Sequence, residues 1–509
     1  MPHQPAPASL WAAAEAAAAD RHTIEALGMP SPVLMERAAL CVSAEVEVLA
    51  AAEGLSRVWV LVGPGNNGGD GLAVARQLHG RGRLAVTAVL VSERRNAAAA
   101  QQLALAEAHG VEVRVGLAPV PADAIVVDAL LGTGTRGEPR GSIADAVAKL
   151  SGNPVVAVDV PTGVDVDTGA VPGPAVRASV TVTFQRSKAG LHLTPARAHA
   201  GRVVVADIGL VAAERRRPGV VLIDPNEVTA ALASLPVAAH KGRRGHVGVV
   251  GGTGGTPGAA ILAGEAALRG GAGLVTLALS DPSLRRAVIE ARPELMLAEP
   301  DDAHVAAAEV LVVGPGLTGA RSGLAELDAS DPRPMVWDAS ALDDFVGDRS
   351  AGPRILTPHP GEAARMLARF EPDARWTNAR VQADRRTAAE RLATRTRAVV
   401  VLKGEGSVVA QLRADGSGTV DLAISTTGGP ALATAGSGDV LAGLIAALLA
   451  RGLAPEQATM VGVHVHGLAG DAAANDGTLA LDLAAALPSA LARARAGERP
   501  QAWPGWRVG

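Results

Sequence analysis

The sequence predicts an α/β protein of two domains, and three observations carry that prediction. Short Val-rich runs alternate with Ala/Leu-rich helical stretches almost from end to end, the pattern of parallel strands covered by helices on both faces. The series breaks once, at Ala212 to Pro218 (AAERRRP), a charged stretch ending in proline. At 509 residues the chain is also longer than one domain on the usual scale of about 100–200 residues each. The expected domains are residues 1–215 and 219–509.

In the first half the predicted strands are Val58 to Val62, Ala85 to Val91, Ala124 to Asp128, Val155 to Val160, Ala178 to Phe184 and Val203 to Asp207. The second series opens at Gly219 to Asp224. It continues through Val247 to Val250, Leu274 to Leu279, Val310 to Val313, Met335 to Asp338, Ile355 to Thr357, Val399 to Leu402, Val408 to Gln411 and Thr419 to Ile424. Leu441 to Ala450 reads as a buried helix.

Composition narrows the function. With 47 Lys and Arg against 51 Asp and Glu the net charge is −4, and no segment is basic enough to hold a phosphate backbone, so nucleic acid is not an expected partner. Hydrophobic residues are 48% of the chain but aromatics only 2%, with no Tyr, so the core must be aliphatic. The single cysteine, Cys41, excludes a disulfide framework and fits a reducing compartment. The apolar run Val440 to Ala450 is too short to span a bilayer. The Ala-rich N-terminus, broken by Glu15 and Asp20, reads as helix rather than signal peptide, so a cytoplasmic protein is expected.

The first chemical signal is VWVLVGPGNNGGDGLAVARQL, Val58 to Leu78: a strand, a glycine-rich loop and a helix begun near Gly71. Gly63, Gly65 and Gly68 have G-x-G-x-x-G spacing, which suits a tight turn and free N–H groups aimed at a phosphate. That spacing alone is weak, and the P-loop lysine and hydroxyl are missing. Asn66, Asn67 and Asp70 add more polar atoms than a packing loop needs, although Asx turns also use such residues. Two more strand ends carry similar chemistry: Asp128 before the loop Gly132 to Gly137, and Asp159, Thr162 and Asp165 in DVPTGVD. Asn67, Asp128 and Thr162 all offer hard oxygen donors, suited to a group I or II cation rather than zinc. Asp165 and Asp167 fit solvated turns equally well.

GPGNNGGDG, DALLGTGTRG and DVPTGVD, in this order on strand ends, resemble the NAD(P)H-hydrate epimerase domain of the bifunctional NAD(P)H-hydrate repair enzymes, over about residues 10 to 212. The resemblance implies a Rossmann-like three-layer fold and a potassium site at Asn67, Asp128 and Thr162. It implies hydrate contacts at Asn66, Asn67, Gly68, Gly69, Asp70, Gly132, Thr133, Gly134, Thr135, Arg136, Gly137, Glu138 and Asp159. Lys188 in FQRSKAGL fits a lysine usual in the family, and Thr162 keeps a hydroxyl where relatives often have serine.

The second signal is TTGGPALATAGSGDVLAG, Thr426 to Gly443. GSGD, Gly436 to Asp439, precedes the apolar helix, so N–H groups at the helix start can hold an anion with Asp439 beside it as a base, an arrangement suited to phosphoryl transfer. A plain N-cap is the structural alternative. KGEGS follows the strand Val399 to Leu402, and TPHPGEAARML places His359, Glu362 and Arg365 near another strand end. VVGPGL and MVWDASAL supply two more, and Gly251 to Gly258 reads as a loop closing on substrate. His464 and His466 in VHVHG read as packing or helix-surface residues; no zinc is expected.

AHKGRRGHVGVVGG, GAGLVTL, VGPGL, TPHPGEAARML, KGEGS and ATAGSGDVLAG resemble the NAD(P)H-hydrate dehydratase branch of the ribokinase-like fold, over about residues 222 to 495. That resemblance implies ADP, with magnesium, against Lys403, Gly404, Glu405, Gly406, Ser407, Thr427, Gly428, Gly429, Gly436, Ser437 and Gly438. It implies the hydrated nicotinamide at Gly316, His359, Pro360, Gly361, Glu362, Ala363, Ala364, Arg365 and Asp439. Ala435 stands where relatives often have glycine. The implied function is repair of hydrated NADH and NADPH (NADHX and NADPHX): epimerisation of the R and S hydrates, through Asp159 or Asp128, and ADP-dependent dehydration of the S form with Asp439 as base. A homo-oligomer is expected. The competing readings are a hydroxymethylpyrimidine or sugar kinase fused to a nucleotide-sensing domain, and an N-terminal domain that only binds ligand.

Overall fold

In the computed structural model the described residues are 8–117, 119–150, 152–212, 219–232, 241–253, 255–279, 281–299, 302–318, 323–347 and 350–508. Most of the expected linker, 213–218, lies outside them. The chain forms two compact units, residues 1–218 with 502–509, and residues 219–501.

The first unit is built on an eight-stranded, wholly parallel sheet. Its order is Gly505–Val508, Arg202–Asp207, Val180–Phe184, Val155–Val158, Ala124–Ala129, Arg57–Val62, Ala85–Leu90 and Glu112–Val115. Numbered along the chain this is 8-7-6-5-4-1-2-3, so winding reverses between Arg57–Val62 and Ala124–Ala129. A doubly wound sheet opens its crevice at that reversal, outside the carboxyl ends of the strands. The central strands are buried along almost their whole length, as Val-rich strands covered on both faces must be.

Two departures from the sequence prediction matter. Residues 505–508 belong to the first unit rather than to the second: Gly505–Val508 pairs in parallel with Arg202–Asp207, and Arg507 and Arg202 both donate to the buried carboxylate of Glu45. The helix after the first strand is Asn66–Arg81, beginning five residues before the expected Gly71. Glycine disfavours helix interiors, but here it is demanded by contact. A Cβ on Gly68 would lie 2.1 Å from the Gly63 carbonyl oxygen, and one on Gly71 would lie 2.4 Å from the Ala129 Cβ.

The second unit carries a ten-stranded sheet ordered Val220–Leu222, Val420–Ile424, Val408–Leu412, Val399–Leu402, Arg354–Leu356, Met335–Trp337, Val310–Val313, His246–Val250, Leu274–Ala278 and Met296–Ala298. Its winding reverses between His246–Val250 and Val310–Val313. The sheet is mixed, not all parallel, because Val408–Leu412 runs antiparallel to both neighbours. The physical reason is chain length: Lys403 to Ser407 allows a hairpin turn, whereas a parallel crossover needs a dozen residues or more. The buried helix is Ser437–Ala450, four residues longer at its start than expected, and it packs on Pro257–Arg269 so closely that a Cβ on Gly443 would lie 2.0 Å from the Ala263 carbonyl oxygen.

Candidate functional site

At the reversal of the first sheet lies a cleft of about 510 Å³. Asn66, Asn67 and Asp70 reach it from the first turns of helix Asn66–Arg81, Gly132, Thr133, Gly134 and Thr135 from the loop after Ala124–Ala129, and Asp159 from the end of Val155–Val158. Gly68 and Gly69 do not line it; they permit close packing on Gly63 and Met35. Arg136, Gly137 and Glu138 also lie outside its lining: Arg136 pairs with Asp167 at 3.2 Å at the surface, and Glu138 packs against Gly173. Asp165 closes a turn, accepting from the Asp167 and Thr168 N–H groups at 3.0 and 2.9 Å.

Asp159 is held more firmly than any other carboxylate in the cleft. Its backbone sits in the left-handed region at φ +65°, where a residue with a Cβ is strained unless its surroundings fix it. They do: Lys188 Nζ donates to Oδ1 at 2.8 Å, Thr183 Oγ1 donates to Oδ1 at 3.3 Å, and both the N–H and hydroxyl of Thr133 donate to Oδ2. Burial alone would raise the Asp159 pKa, but the Lys188 charge and these hydrogen bonds overcome it and hold the carboxyl below its ordinary range. Asp70, in the same cleft, goes the other way: burial, then the charges of Asp159 and Asp20, push it well above the ordinary range. One cleft thus holds two carboxyls whose surroundings push their pKa values in opposite directions, the pairing from which acid and base roles are made.

Asp128 is fully buried and outside the cleft lining. Its Oδ1 accepts from Thr162 Oγ1 at 2.8 Å and Oδ2 from the Thr162 N–H at 2.8 Å. Burial raises its pKa to about 6 against the pull of these bonds, so a charge on Asp128 is costly where it lies and a cation alongside would favour it. The Asn67 Nδ2 is buried with no hydrogen-bond partner, and Gly132 lies against the Asn67 side chain. One carboxylate, one hydroxyl and one amide fit a weakly charged monovalent cation.

Sequence reading missed Asp20, Met35 and Asn96, all in the cleft lining. Asn96 donates to Asn66 Oδ1 at 2.6 Å and caps the helix Ala97–Ala108. An N-cap pattern was its only signal.

The second site gathers at the carboxyl ends of Met335–Trp337, Arg354–Leu356 and Val399–Leu402 and the start of Ser437–Ala450. Gly436, the N-cap, has φ +89°, a left-handed conformation suited to glycine. Asp439 lies in the first helical turn rather than ahead of it. Burial and then the Asp338 charge push its pKa up to about 7, with Lys403 pulling down and Glu362 pushing up. Lys403 donates to Asp338 Oδ1 at 2.8 Å and lies 3.9 Å from Glu362. Burial would lower the lysine pKa, but the charges of Asp338 and Glu362 raise it above the ordinary value.

His359 caps the helix Pro360–Phe370, its Nδ1 accepting from the Gly361 and Glu362 N–H groups at 3.0 and 3.4 Å while Glu362 accepts from the His359 N–H at 2.8 Å. Ala363 and Ala364 are buried in the packing of that helix, and Arg365 donates to Asp343 at 3.1 Å. Gly316 has φ +65°, and a Cβ there would lie 2.2 Å from the Thr256 carbonyl oxygen. The loop 251–256 therefore docks on the turn after Val310–Val313; residue 254 lies outside the described residues.

Gly404, Glu405, Gly406 and Ser407 form the hairpin turn. Arg385, which the sequence did not single out, is buried beneath it and donates to the carbonyls of Leu402, at 2.9 Å, and Glu405. Thr427 is buried and donates to the His464 carbonyl at 3.1 Å; the Gly428 N–H donates to Asp471 at 3.0 Å, and Gly429 precedes a short 3-10 turn. Ser437 pairs with His466 Nε2 at 3.2 Å. His464 and His466 are buried and burial lowers both to about 4, so they are neutral packing residues, not surface ones. Ala435 is exposed. Among the described residues no group of three or more His, Cys, Asp or Glu could hold a metal ion, and no helix is long and apolar enough to cross a membrane.

Together the fold and the two carboxylate-bearing rims define an α/β enzyme with a site in each unit, each holding buried carboxyls beside one paired lysine. Comparison with known proteins makes this specific. Residues 31–190 match the family described as YjeF-related protein N-terminus, and residues 247–492 the family described as NAD(P)H-hydrate dehydratase. The chain is 37% identical to the bifunctional NAD(P)H-hydrate repair enzyme Nnr of Moorella thermoacetica, spanning 91% of this chain and 92% of that one. It is 35% identical to the Escherichia coli enzyme of the same name, spanning 94% and 93%. The chain belongs to the bifunctional NAD(P)H-hydrate repair enzyme family. Among solved structures, the ADP/ATP-dependent NAD(P)H-hydrate dehydratase of Bacillus subtilis, crystallised with ATP and magnesium, is 28% identical over 54% of this chain and 98% of its own, with a TM-score of 0.48.

Proposed function

We propose that this chain repairs hydrated NADH and NADPH in two steps, the first unit interconverting the R and S hydrates and the second dehydrating the S hydrate to NAD(P)H with conversion of ADP to AMP and phosphate. The observation that carries the reading is the pair of separate rims, each with its own carboxylate chemistry, in a chain that aligns with the repair enzymes over nine-tenths of its length.

In the first unit Asp159, not Asp128, is the base, since only Asp159 lines the cleft. The substrate carries a hydroxyl on C6 beside the ring nitrogen. Asp70 gives its proton to that hydroxyl, the C6–O bond breaks to release water, and the N1 lone pair forms a planar N1=C6 cation. Water adds to the other face and gives its proton to Asp159, and proton return to Asp70 resets the pair. Potassium would be held by Asn67, Asp128 and Thr162, where it supplies fixed positive charge beneath the Gly132 loop.

In the second unit Asp439 takes the C6 hydroxyl proton as that oxygen bonds to the terminal phosphorus of ADP, and the bond to AMP breaks. N–H groups of Gly436, Ser437 and Gly438 at the helix start, with Lys403, stabilise the phosphoryl group. Phosphate then leaves C6 with the C–O electron pair and C5 loses its proton to the departing phosphate or to water, restoring the 5,6 double bond, and Asp439 returns its proton to solvent. Magnesium would come with the nucleotide, held mainly by its phosphates, since the described residues offer no cage of carboxylates. Homo-oligomerisation and a cytoplasmic site of action belong to the same proposal.

The test uses the full chain with one site disabled at a time. Asp439→Asn should lose dehydration by about 10²- to 10⁴-fold while still equilibrating the hydrates. Asp159→Asn should consume S hydrate at the normal rate and R hydrate only as fast as it epimerises spontaneously. Loss of both activities in either folded variant would overturn the division of labour.

A further inference from the structure

We propose that Asp338 is a positioning residue for phosphoryl transfer, holding the Lys403 ammonium against the Gly438 turn so that the lysine faces Asp439 and the transferred phosphoryl group together. The proposal rests on the dehydratase reading of the second unit and adds a residue that none of the glycine motifs contains.

Three strand ends build the arrangement. Asp338 follows Met335–Trp337, with its N–H donating to the Val313 carbonyl at 3.0 Å and its carbonyl packed on Gly314, where a Cβ would lie 1.9 Å away. Its side chain is almost fully buried, and Oδ1 accepts from both Lys403 Nζ at 2.8 Å and Thr357 Oγ1 at 2.7 Å. Thr357 and Lys403 follow the next two strands, and the Lys403 N–H donates to the Pro358 carbonyl at 2.9 Å. The lysine head lies against the second glycine of GSGD: a Cβ on Gly438 would be 3.0 Å from Lys403 Nζ and 3.6 Å from Asp338 Oδ2. This explains why that position is glycine, since its space is needed for the ammonium.

A lysine on a flexible four-carbon stem loses rotamer entropy when it is fixed. Asp338 fixes it before substrate arrives, which is the preorganisation that electrostatic stabilisation requires. The same pair sets the field at Asp439. The charges acting there are Asp338, Lys403 and Glu362, with Glu362 in turn 3.4 Å from His359. From the adjoining helix Pro455–Asp471, His466 faces the start of the same turn through Ser437 and is neutral.

A merely structural ion pair and a positioning pair differ in how they move the pH profile. The experiment measures kcat/KM for S-hydrate dehydration against pH, at saturating ADP, in the full chain and in Asp338→Asn and Lys403→Met. In the unaltered chain the acid limb should fall near 7, where Asp439 ionises. Removing the negative charge in Asp338→Asn should move the limb down by about one unit, with kcat reduced more than the KM for ADP is raised. Removing the positive charge in Lys403→Met should move the limb up by about one unit and raise the KM for ADP. Lower activity with an unmoved limb, or limbs moving the same way in both variants, would overturn the proposal. If Asp338→Asn does not fold, Lys403→Met decides alone, and an unmoved limb there overturns it. Failure of the unaltered chain to consume S hydrate would instead refute the dehydratase reading itself.

Discussion

Deleting residues 502–509 should destabilise the first unit and leave the second as it was. The segment adds the strand Gly505–Val508 to the edge strand Arg202–Asp207 in four-residue parallel register, and Arg507 donates to Glu45, whose side chain is only 1% exposed. Losing the charged hydrogen bond costs about 2 kcal/mol, with Arg202 still partnering Glu45. The backbone ladder contributes about 2 kcal/mol more at about 1 kcal/mol per net bond, so roughly 4 kcal/mol is lost. For a unit of about 200 residues that is a fall in Tm of about 8–16 °C. Calorimetry on the full chain, the deletion and Arg507→Ala should show one transition falling, by about half as much in the point variant, with epimerase half-life on heating falling in parallel and dehydratase unaffected. Transitions unchanged within about 1 °C would refute the reasoning. A fragment ending at residue 215 should behave as the deletion does.

Three further outcomes follow from the sites. Lys188→Met leaves Asp159 buried with its countercharge gone. Burial then dominates and raises the carboxyl pKa, so the native contribution of Asp159, present above its unfolded pKa and lost as pH falls through its lowered folded value, is inverted. Relative to the unaltered protein, urea unfolding should show a loss of about 3–5 kcal/mol at pH 8 that shrinks toward pH 4, and Asp159→Asn in the same background should recover part of it; equal loss at both pH values would contradict this. An anomalous-scattering map of crystals soaked in rubidium should show a peak among Asn67, Asp128 and Thr162; a peak absent there at full soak would reject the site. ADP should give a higher kcat/KM than ATP on S hydrate with magnesium present, because Gly436 to Gly438 would hold the β-phosphate of ADP beside Asp439; a higher value for ATP would overturn the donor assignment alone.

What the sequence disclosed was the strand ends. Val-rich runs buried on both faces announce themselves, and the glycine motifs sit where those strands stop, so Asp70, Asp159 and Asp439 were identifiable as chemistry before their geometry was known. Three of the four edge strands were not legible, Val220–Leu222 being the exception. Glu112–Val115 and Gly505–Val508 are half charged or exposed, and Met296–Ala298 has three residues, too few for a period. Helix starts were placed late because Gly68, Gly69 and Gly438 have poor helix propensity, overridden by close contacts that only tertiary structure reveals. Asp338 and Arg385 were hidden for the same reason. Their partners Lys403 and Glu405 are 65 and 20 residues away in the chain; Asp338 stands in MVWDASAL with nothing to mark that partner, and Arg385 belongs to no motif.

The central claim, two complementary activities in one chain, is tested most directly by supplying the purified protein with an equal mixture of R- and S-NADHX and ADP and following NADH absorbance to its end point. The account predicts that NADH forms from all of the hydrate at a rate well above spontaneous epimerisation, with one AMP and one phosphate released per NADH. A fast phase that stops near half of the hydrate, leaving the R form to disappear at its spontaneous rate, would contradict it.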